Sequence, residues 1–290
     1  MEETARTFEE RLVGGGPDAF KIAPQRGGIV TELTLGGHRL LYLDRDTFND
    51  PSKSVRGGIP ILFPICGPLR DDRWETGGRE YGMKQHGFAR VLPWQVVSQE
   101  ADRITIELTS SEVTRTSYPF DFSIRYTYQV SAGHLHIEQA FENRSPQPMP
   151  FSSGFHPYFA TLDKSALRFD IPASVAAPNP YGDAHSFSGF DFSADVIDLR
   201  FPVRNAALSP DMPAPRAHFD DPTQARRITL SAHPDYRSFV FWTLRDKPFC
   251  CLEPWTARGD ALNTGDDVLE VKPGETRHLW FEIGCSALDG

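Results

Sequence analysis

The amino-acid sequence predicts an all-β fold, in which residues 1–290 form a single antiparallel β-sandwich domain. Short runs of alternating apolar and polar residues recur along the chain, and such alternation is typical of strands that bury one face. Turn-forming residues separate these runs, among them many of the 23 glycines and 24 prolines. Helical periodicity is scarce by comparison, so these patterns favour sheets packed on sheets.

Three pairs of alternating runs are each separated by two or three turn residues, which predicts β-hairpins. The pairs are 27–35 with 38–43, 94–99 with 103–109, and 120–130 with 134–143. Later apolar runs predict further strands at 166–171, 227–232, 238–244, 249–253 and 277–283. Short helical turns are expected at the N-terminus and within 256–263, and a proline-rich loop is expected at about 205–222.

Composition and charge indicate which kinds of binding partner the protein lacks. The net charge of -9 is opposite in sign to the basic surfaces of nucleic-acid-binding proteins, so no nucleic-acid partner is expected. No apolar stretch approaches the roughly 20 residues of a membrane span, and the N-terminus lacks the apolar core of a signal peptide. The four cysteines form no C-x-x-C pair. We therefore expect a cytoplasmic protein, a monomer or weak dimer, without a membrane partner.

A proline-punctuated apolar segment within residues 55–94 is framed by polar and cationic groups. Prolines supply no N–H to a sheet ladder, and glycines allow a close backbone approach, so an irregular pocket wall is one interpretation. A loop that crosses the core with solvated charges is the other. The polar groups are Arg56, Lys84, Gln85, His86 and Arg90. Arginine offers a planar fork for carboxylate or phosphate, although an ion pair with one of the 39 acidic residues is the commoner arrangement.

His156 and Glu253 are the candidates for proton transfer. His156 is followed by Pro157, which favours an extended backbone, and lies among aromatic residues. Its side chain titrates nearest neutral pH, but a structural histidine within an aromatic core explains the same pattern. Glu253 ends an apolar run, where a carboxylate carries a desolvation cost unless it has a partner or a function.

Two other kinds of site are weaker alternatives. His134 and His136 alternate on one predicted strand and face the same side, so they are candidate metal ligands, although no third ligand stands at a characteristic spacing. Cys66 lies in an apolar context that favours a buried structural residue over a nucleophile. We therefore expect no metal.

Five blocks of sequence, taken in order, resemble the aldose 1-epimerase (mutarotase) superfamily, and most closely its hexose-6-phosphate 1-epimerase-like branch. They are R-G-G-I-P-I-L-F-P (56–64), Q-H-G-F-A-R (85–90), F-H-P-Y-F (155–159), C-L-E-P-W-T (251–256) and V-K-P-G-E-T (271–276). Each block alone is weak evidence for the resemblance. The ordered set is strong evidence, and the resemblance spans about residue 20 to the C-terminus. The resemblance implies a galactose-mutarotase-like β-supersandwich that acts on a sugar or sugar phosphate without a cofactor.

The resemblance also implies roles for individual residues. It makes Glu253 the base at the C1 hydroxyl and His156 the acid at the ring oxygen, on opposite sides of the C1–O5 bond. His86 would bond the ring oxygen or a hydroxyl, and Asp198 is the best match for an aspartate that orients hydroxyls. The substrate phosphate would lie near Arg56 and Arg90, with Lys84 as a further contact, and Gln85 is another substrate-binding candidate. Phe88, Tyr158 and Trp255 are candidates for stacking on the sugar.

Two competing functions remain. A non-catalytic carbohydrate-binding or regulatory protein of the same fold would retain the pocket without accelerating anomer exchange. A metal-dependent β-barrel enzyme would use His134 and His136.

Overall fold

The computed structural model describes residues 8–171, 175–178, 185–186, 189–203 and 214–288, and it confirms the all-β fold class. The strands are β1 Arg11–Gly15, β2 Asp18–Ala23, β3 Ile29–Leu35, β4 His38–Arg39, β5 Ile61–Leu62, β6 Arg73–Thr76, β7 Arg79–Gly82, β8 Gln95–Gln99, β9 Arg103–Thr109, β10 Phe122–Ser131, β11 His134–Asn143, β12 Met149–Phe151, β13 Gly154–Phe155, β14 Tyr158–Ala160, β15 Arg168–Asp170, β16 Val175–Pro178, β17 His185–Ser186, β18 Val196–Pro202, β19 Arg216–Asp221, β20 Arg226–Ala232, β21 Ser238–Leu244, β22 Phe249–Trp255, β23 Leu269–Val271 and β24 Thr276–Ala287. The α-helices are α1 Arg45–Asn49, α2 Glu112–Arg115 and α3 Ala261–Thr264. Within these described ranges no helix is long and apolar enough to cross a bilayer.

Two large antiparallel sheets dominate the fold. Sheet I has the order β15-β19-β20-β24-β11-β10-β9-β8. Sheet II has the order β17-β16-β18-β21-β22-β13-β5, with β14 also paired to β22. A smaller sheet, β1-β2-β3-β4, and the pairs β6-β7 and β12-β23 complete the described strands.

The period-two pattern decides which face of each strand enters the core. Along β11, Leu135, Ile137 and Phe141 are buried, while the alternate residues are more exposed. His134 and His136 belong to that second set and lie on the outer face of sheet I.

Aromatic pairs join the two large sheets. The Phe155 ring of sheet II stacks on the Phe281 ring of sheet I, with centroids 4.9 Å apart. Phe141 of sheet I also stacks on Phe151 of the separate β12-β23 pair, with centroids 4.5 Å apart. Each such pair contributes about 0.5–1.5 kcal/mol beyond the burial of its area. These contacts hold sheet II firmly against the core, so its outer face is a stable platform for a site.

The three predicted hairpins are confirmed as β3–β4, β8–β9 and β10–β11, although β4 ends at Arg39. Helix α3 confirms the helical turn that was expected within 256–263. The loop expected at 205–222 is wrong in its second part, because 216–221 form β19. Its part from 205 to 213 lies outside the described residues, as does most of the N-terminal helical turn.

A buried hydrogen bond ties sheet I to the turn before β21. The Tyr236 hydroxyl donates to the side-chain amide oxygen, Oε1, of Gln139 at 2.9 Å. We expect Tyr236→Phe to lower the free energy of unfolding by about 1–3 kcal/mol, because it leaves a buried acceptor without its donor. Urea denaturation tests this: the midpoint of unfolding should fall while the m-value stays unchanged. The control Tyr81→Phe alters a partly exposed ring and should change the same quantity by less than about 0.5 kcal/mol; equal losses for both variants would contradict the assignment.

Candidate active site

A cavity of about 260 Å³ opens on the outer face of sheet II. The structure brings seven of the eight predicted site residues to it, and the eighth, Lys84, lies outside the lining. The lining residues are Ser54, Val55, Arg56, Gln85, His86, Arg90, His156, Tyr158, Asp198, Trp242, Glu253 and Trp255.

The alternation of strand β22 places Glu253 in this cavity. Cys250 and Leu252 point into the core between the sheets, whereas Cys251, Glu253 and Trp255 share the opposite face. The side chain of Glu253 is only 1% exposed.

His156 lies between β13 and β14, directly beside Glu253. Its backbone N–H donates to the Pro60 carbonyl at 3.1 Å, and its ring stacks on Tyr158 with centroids 4.7 Å apart. His156 Nε2 lies 3.2 Å from Glu253 Oε1. The indole N–H of Trp255 donates to the other carboxylate oxygen at 3.1 Å. The imidazole and the carboxylate therefore form a buried, oriented pair.

Burial governs the protonation of this pair. Desolvation, reinforced by the charge of Asp198, raises the pKa of Glu253 well above its ordinary value. Desolvation, reinforced by the Arg90 and Arg56 guanidinium groups, lowers the pKa of His156 to about 3. Both shifts disfavour charge, so burial favours the state in which the pair shares one proton, with that proton on Glu253. At His156, burial therefore outweighs the attraction of the neighbouring carboxylate for a protonated ring.

His86 is held in one tautomer by the backbone. The N–H of Gly67 donates to His86 Nδ1 at 3.0 Å, so the neutral ring carries its proton on Nε2. Burial, aided by Arg90, lowers the pKa of His86 well below its usual value and keeps the ring neutral. The backbone of His86 is left-handed, with φ of 67°, and a Cβ on the following Gly87 would lie 2.3 Å from the Phe63 carbonyl oxygen. This tight turn holds the ring in place, and its Nε2–H makes His86 a hydrogen-bond donor for a molecule in the cavity.

Two arginines bring positive charge to the cavity. The guanidinium of Arg56 lies 5.4 Å from the centroid of the Trp242 ring. Arg90 donates to the Gln85 carbonyl at 2.9 Å, while its Nε is buried and has no hydrogen-bond partner. Among the described residues no carboxylate oxygen lies within 4.0 Å of either guanidinium. The common ion-pair arrangement therefore does not hold for these two arginines, which leaves their charge available to an anion.

Three predicted residues lie elsewhere. Lys84 is 87% exposed and pairs with Asp72 at 2.6 Å, so the turn at His86 directs it away from the cavity. Phe88 packs on Phe63 and Phe122 in the core. Burial raises the pKa of Cys66, which agrees with a structural thiol.

The two strand histidines do not belong to this site. His134 Nδ1 and His136 Nδ1 lie 3.2 and 3.3 Å from the two carboxylate oxygens of Glu282, on the outer face of sheet I. Trp242, which the sequence did not suggest, does line the cavity, because it is paired with Asp198 across β18 and β21.

Comparisons with known proteins agree with the fold. The sequence profile described as aldose 1-epimerase matches residues 21–284. This chain belongs to the aldose 1-epimerase family.

Three proteins show how similar this aldose 1-epimerase homologue is to known relatives. The Slr1438 protein from Synechocystis sp. PCC 6803 is 38% identical, with a TM-score of 0.92 over 99% of both chains. A galactose mutarotase related enzyme from Lactobacillus acidophilus shares the fold at 20% identity, with a TM-score of 0.80 over 97% of this chain and 99% of that one. A protein of Salmonella typhimurium named "Putative glucose-6-phosphate 1-epimerase" is 34% identical over 113 residues, 38% of this chain and 35% of that protein. These matches confirm the superfamily, its fold and the resemblance to the hexose-6-phosphate branch.

Proposed function

We propose that the chain interconverts the α and β anomers of an aldohexose or a hexose 6-phosphate by opening and reclosing the sugar ring. One observation carries the proposal: a buried imidazole and carboxylate, 3.2 Å apart, face a cavity of about 260 Å³ that also holds a fixed hydrogen-bond donor and two arginines. A protein that only binds sugar has no need for a buried, oriented acid–base pair, which is costly to desolvate.

The chemistry requires one proton to leave and one to arrive. In the ring-opening step Glu253 takes the proton of the C1 hydroxyl, the C1–O5 bond breaks, and His156 gives a proton to the ring oxygen. The C1–C2 bond of the open aldehyde rotates, and the ring closes on the other face with both transfers reversed. No cofactor takes part in these steps.

The adjacency of the two groups suits these transfers. The C1 hydroxyl and the ring oxygen are bonded to the same carbon, so neighbouring groups can serve both atoms. His156 Nε2 lies beside Glu253 Oε1, so we propose that both groups act from one side of the C1–O5 bond, in place of the opposite sides that the family resemblance implies.

The single proton shared by His156 and Glu253 fits a catalytic cycle that alternates between two protonation states of the pair. With the ring closed, the reactive state has the proton on His156, and with the ring open it lies on Glu253. The number of protons on the pair is the same in both states, so turnover needs no exchange with solvent. His86 Nε2–H would bond the ring oxygen or a neighbouring hydroxyl, and Asp198 and Gln85 would orient the remaining hydroxyls.

A panel of freshly dissolved free and 6-phosphorylated aldohexoses, followed by polarimetry, tests the proposal. We expect the protein to accelerate the approach to anomeric equilibrium for at least one sugar in catalytic amounts. A binding protein would shift the equilibrium slightly without increasing the rate. The same panel identifies the sugar and shows whether a phosphate is required.

The protonation of the pair predicts a distinctive dependence on pH. The pKa of His156 is lowered to about 3, so lowering the pH from 7 to 5 does not add a second proton to the pair. We therefore expect no acid limb in kcat/KM over that range. On the alkaline side the rate falls once the pH exceeds the raised pKa of Glu253, because the pair then loses its remaining proton. An acid limb near pH 6.5, the ordinary pKa of histidine, would contradict this assignment.

The remaining expectations stay predictions. They are a single domain, a monomer or weak dimer, and a cytoplasmic location without nucleic-acid or membrane partners.

A further inference from the structure

Three side chains with metal-binding atoms converge beside the cavity, and two of them, His156 and Glu253, line it. One ligand atom from each of His156, Cys251 and Glu253 lies within 4.8 Å of the other two, and all three residues are buried. Among the described residues, no other group of three or more histidine, cysteine or acidic side chains meets this criterion. The proton-transfer mechanism uses His156 and Glu253 but gives no role to Cys251.

We propose that His156, Cys251 and Glu253 form a zinc-binding site, at which the metal competes with the sugar. Imidazole nitrogen, thiolate sulfur and carboxylate oxygen are the donors that zinc takes in proteins. Three protein ligands leave the fourth tetrahedral position for water on the side of the cavity.

The geometry suits a tetrahedral ion. Zinc–ligand bonds of about 2.0–2.3 Å at a tetrahedral angle place neighbouring donor atoms about 3.4–3.6 Å apart. His156 Nε2 and Glu253 Oε1 are already 3.2 Å apart. Cys251 lies two residues before Glu253 on β22, on the same face of sheet II, so its sulfur approaches from the adjacent position of the strand. Because the three ligand atoms lie within 4.8 Å of one another, the distances from the sulfur to the other two have to shorten by about 1.4 Å at most.

The charge balance also suits a divalent cation. Zinc binds the thiolate of Cys251, the carboxylate of Glu253 and the neutral imidazole of His156, and any protons that these groups carried pass to solvent. The two negative charges offset the two positive charges of the ion. The occupied site therefore carries no net buried charge.

Nearby charges set the strength of the site. Asp198 lines the same cavity and favours a cation, whereas Arg56 and Arg90 oppose one. We therefore expect zinc to bind reversibly, and more weakly than in closed structural zinc sites. Because zinc occupies the donor atoms that move protons, it should inhibit anomer exchange; this last step rests on the proposed function, whereas binding itself does not.

Cobalt(II) and zinc titrations of the reduced, metal-stripped protein test the proposal without any sugar. We expect one metal ion per chain at this site, and a thiolate-to-cobalt charge-transfer band. Cys251→Ala should lose the band and bind zinc at least about 10-fold more weakly, since even the loss of a residue that only hydrogen-bonds a metal ligand costs about 10–100-fold in affinity. The matched control is Cys250→Ala, which removes the neighbouring thiol on the core face of the same strand and should retain both properties.

Several results would overturn the site. These are the absence of bound metal, unchanged zinc affinity in Cys251→Ala, or loss of the band in Cys250→Ala. Loss of binding in His134→Ala/His136→Ala would place the metal on sheet I and would equally contradict it. Should Cys251→Ala not fold, X-ray absorption of zinc on the wild-type protein decides, because one sulfur ligand supports the site and a shell of nitrogen and oxygen alone excludes it.

An activity measurement separates this inference from the proposed function. If the protein accelerates anomer exchange, zinc should slow it, and a chelator should restore the rate. Zinc that binds through Cys251 without inhibiting would contradict the competition. A protein that binds zinc through Cys251 but never exchanges anomers would contradict the proposed function and leave the metal site intact.

Discussion

Glu253→Gln is expected to lower kcat for anomer exchange by about 10²–10⁴-fold, the usual contribution of a positioned general acid or base. The amide has nearly the shape of the carboxylate but cannot take the proton of the C1 hydroxyl. His156→Asn should cost a similar factor. Initial rates for a sugar identified by polarimetry provide the measurement, and circular dichroism shows that the variants are folded.

The double variant provides the sharper test of the pair. Residues that act as a unit are strongly non-additive, so His156→Asn with Glu253→Gln should be little slower than either single variant. The control is Glu138→Gln, an exposed carboxylate on the outer face of sheet I, which should leave the rate unchanged. Two independent factors that multiply in the double variant would show that the groups do not share one proton.

The second large effect is expected at Arg90. Hydrogen bonds to charged groups contribute about 1.5–3 kcal/mol, so Arg90→Ala should lower kcat/KM for a hexose 6-phosphate by roughly 10- to 100-fold. The loss for the free hexose should be much smaller, because no phosphate contact is removed. Arg56 is exposed, so Arg56→Ala should cost only about 2- to 5-fold.

The comparison between sugars isolates the phosphate contribution. Arg125→Ala is the matched control, since Arg125 is an exposed arginine of sheet I that pairs with Glu107. Arg125→Ala should leave kcat/KM unchanged for both the free and the phosphorylated sugar. Equal losses on the free and phosphorylated sugars in Arg90→Ala would show that Arg90 supports the cavity instead of binding a phosphate.

The long strands were predictable from sequence because one of their faces is buried. Strands β10 and β11 alternate for ten residues each, and that pattern is local. The two-residue strands β5 and β13 were not predicted, since both of their residues are buried and prolines interrupt the surrounding sequence. Their pairing is set by contacts more than 90 positions apart along the chain.

The candidate site was predictable in its residues but not in its electrostatics. His156 and Glu253 stand out because a histidine and a carboxylate interrupt apolar runs. The local sequence does not indicate Trp242 as a site residue, because its position in the cavity depends on the register between β18 and β21. Lys84 was grouped with its sequence neighbours, yet the left-handed backbone at His86 separates them. The low pKa of His156 follows from burial, which the local sequence does not reveal.

The central claim is that His156 and Glu253 together move the protons that open and close a sugar ring. Exchange spectroscopy by NMR measures this directly, by following magnetisation between the α and β anomeric protons of hexoses and hexose 6-phosphates at equilibrium. The wild-type protein should produce exchange cross-peaks, and the His156→Asn/Glu253→Gln variant should give the spectrum of the sugar alone. Undiminished exchange in that folded variant, or no accelerated exchange by the wild type with any of these sugars, would contradict the account.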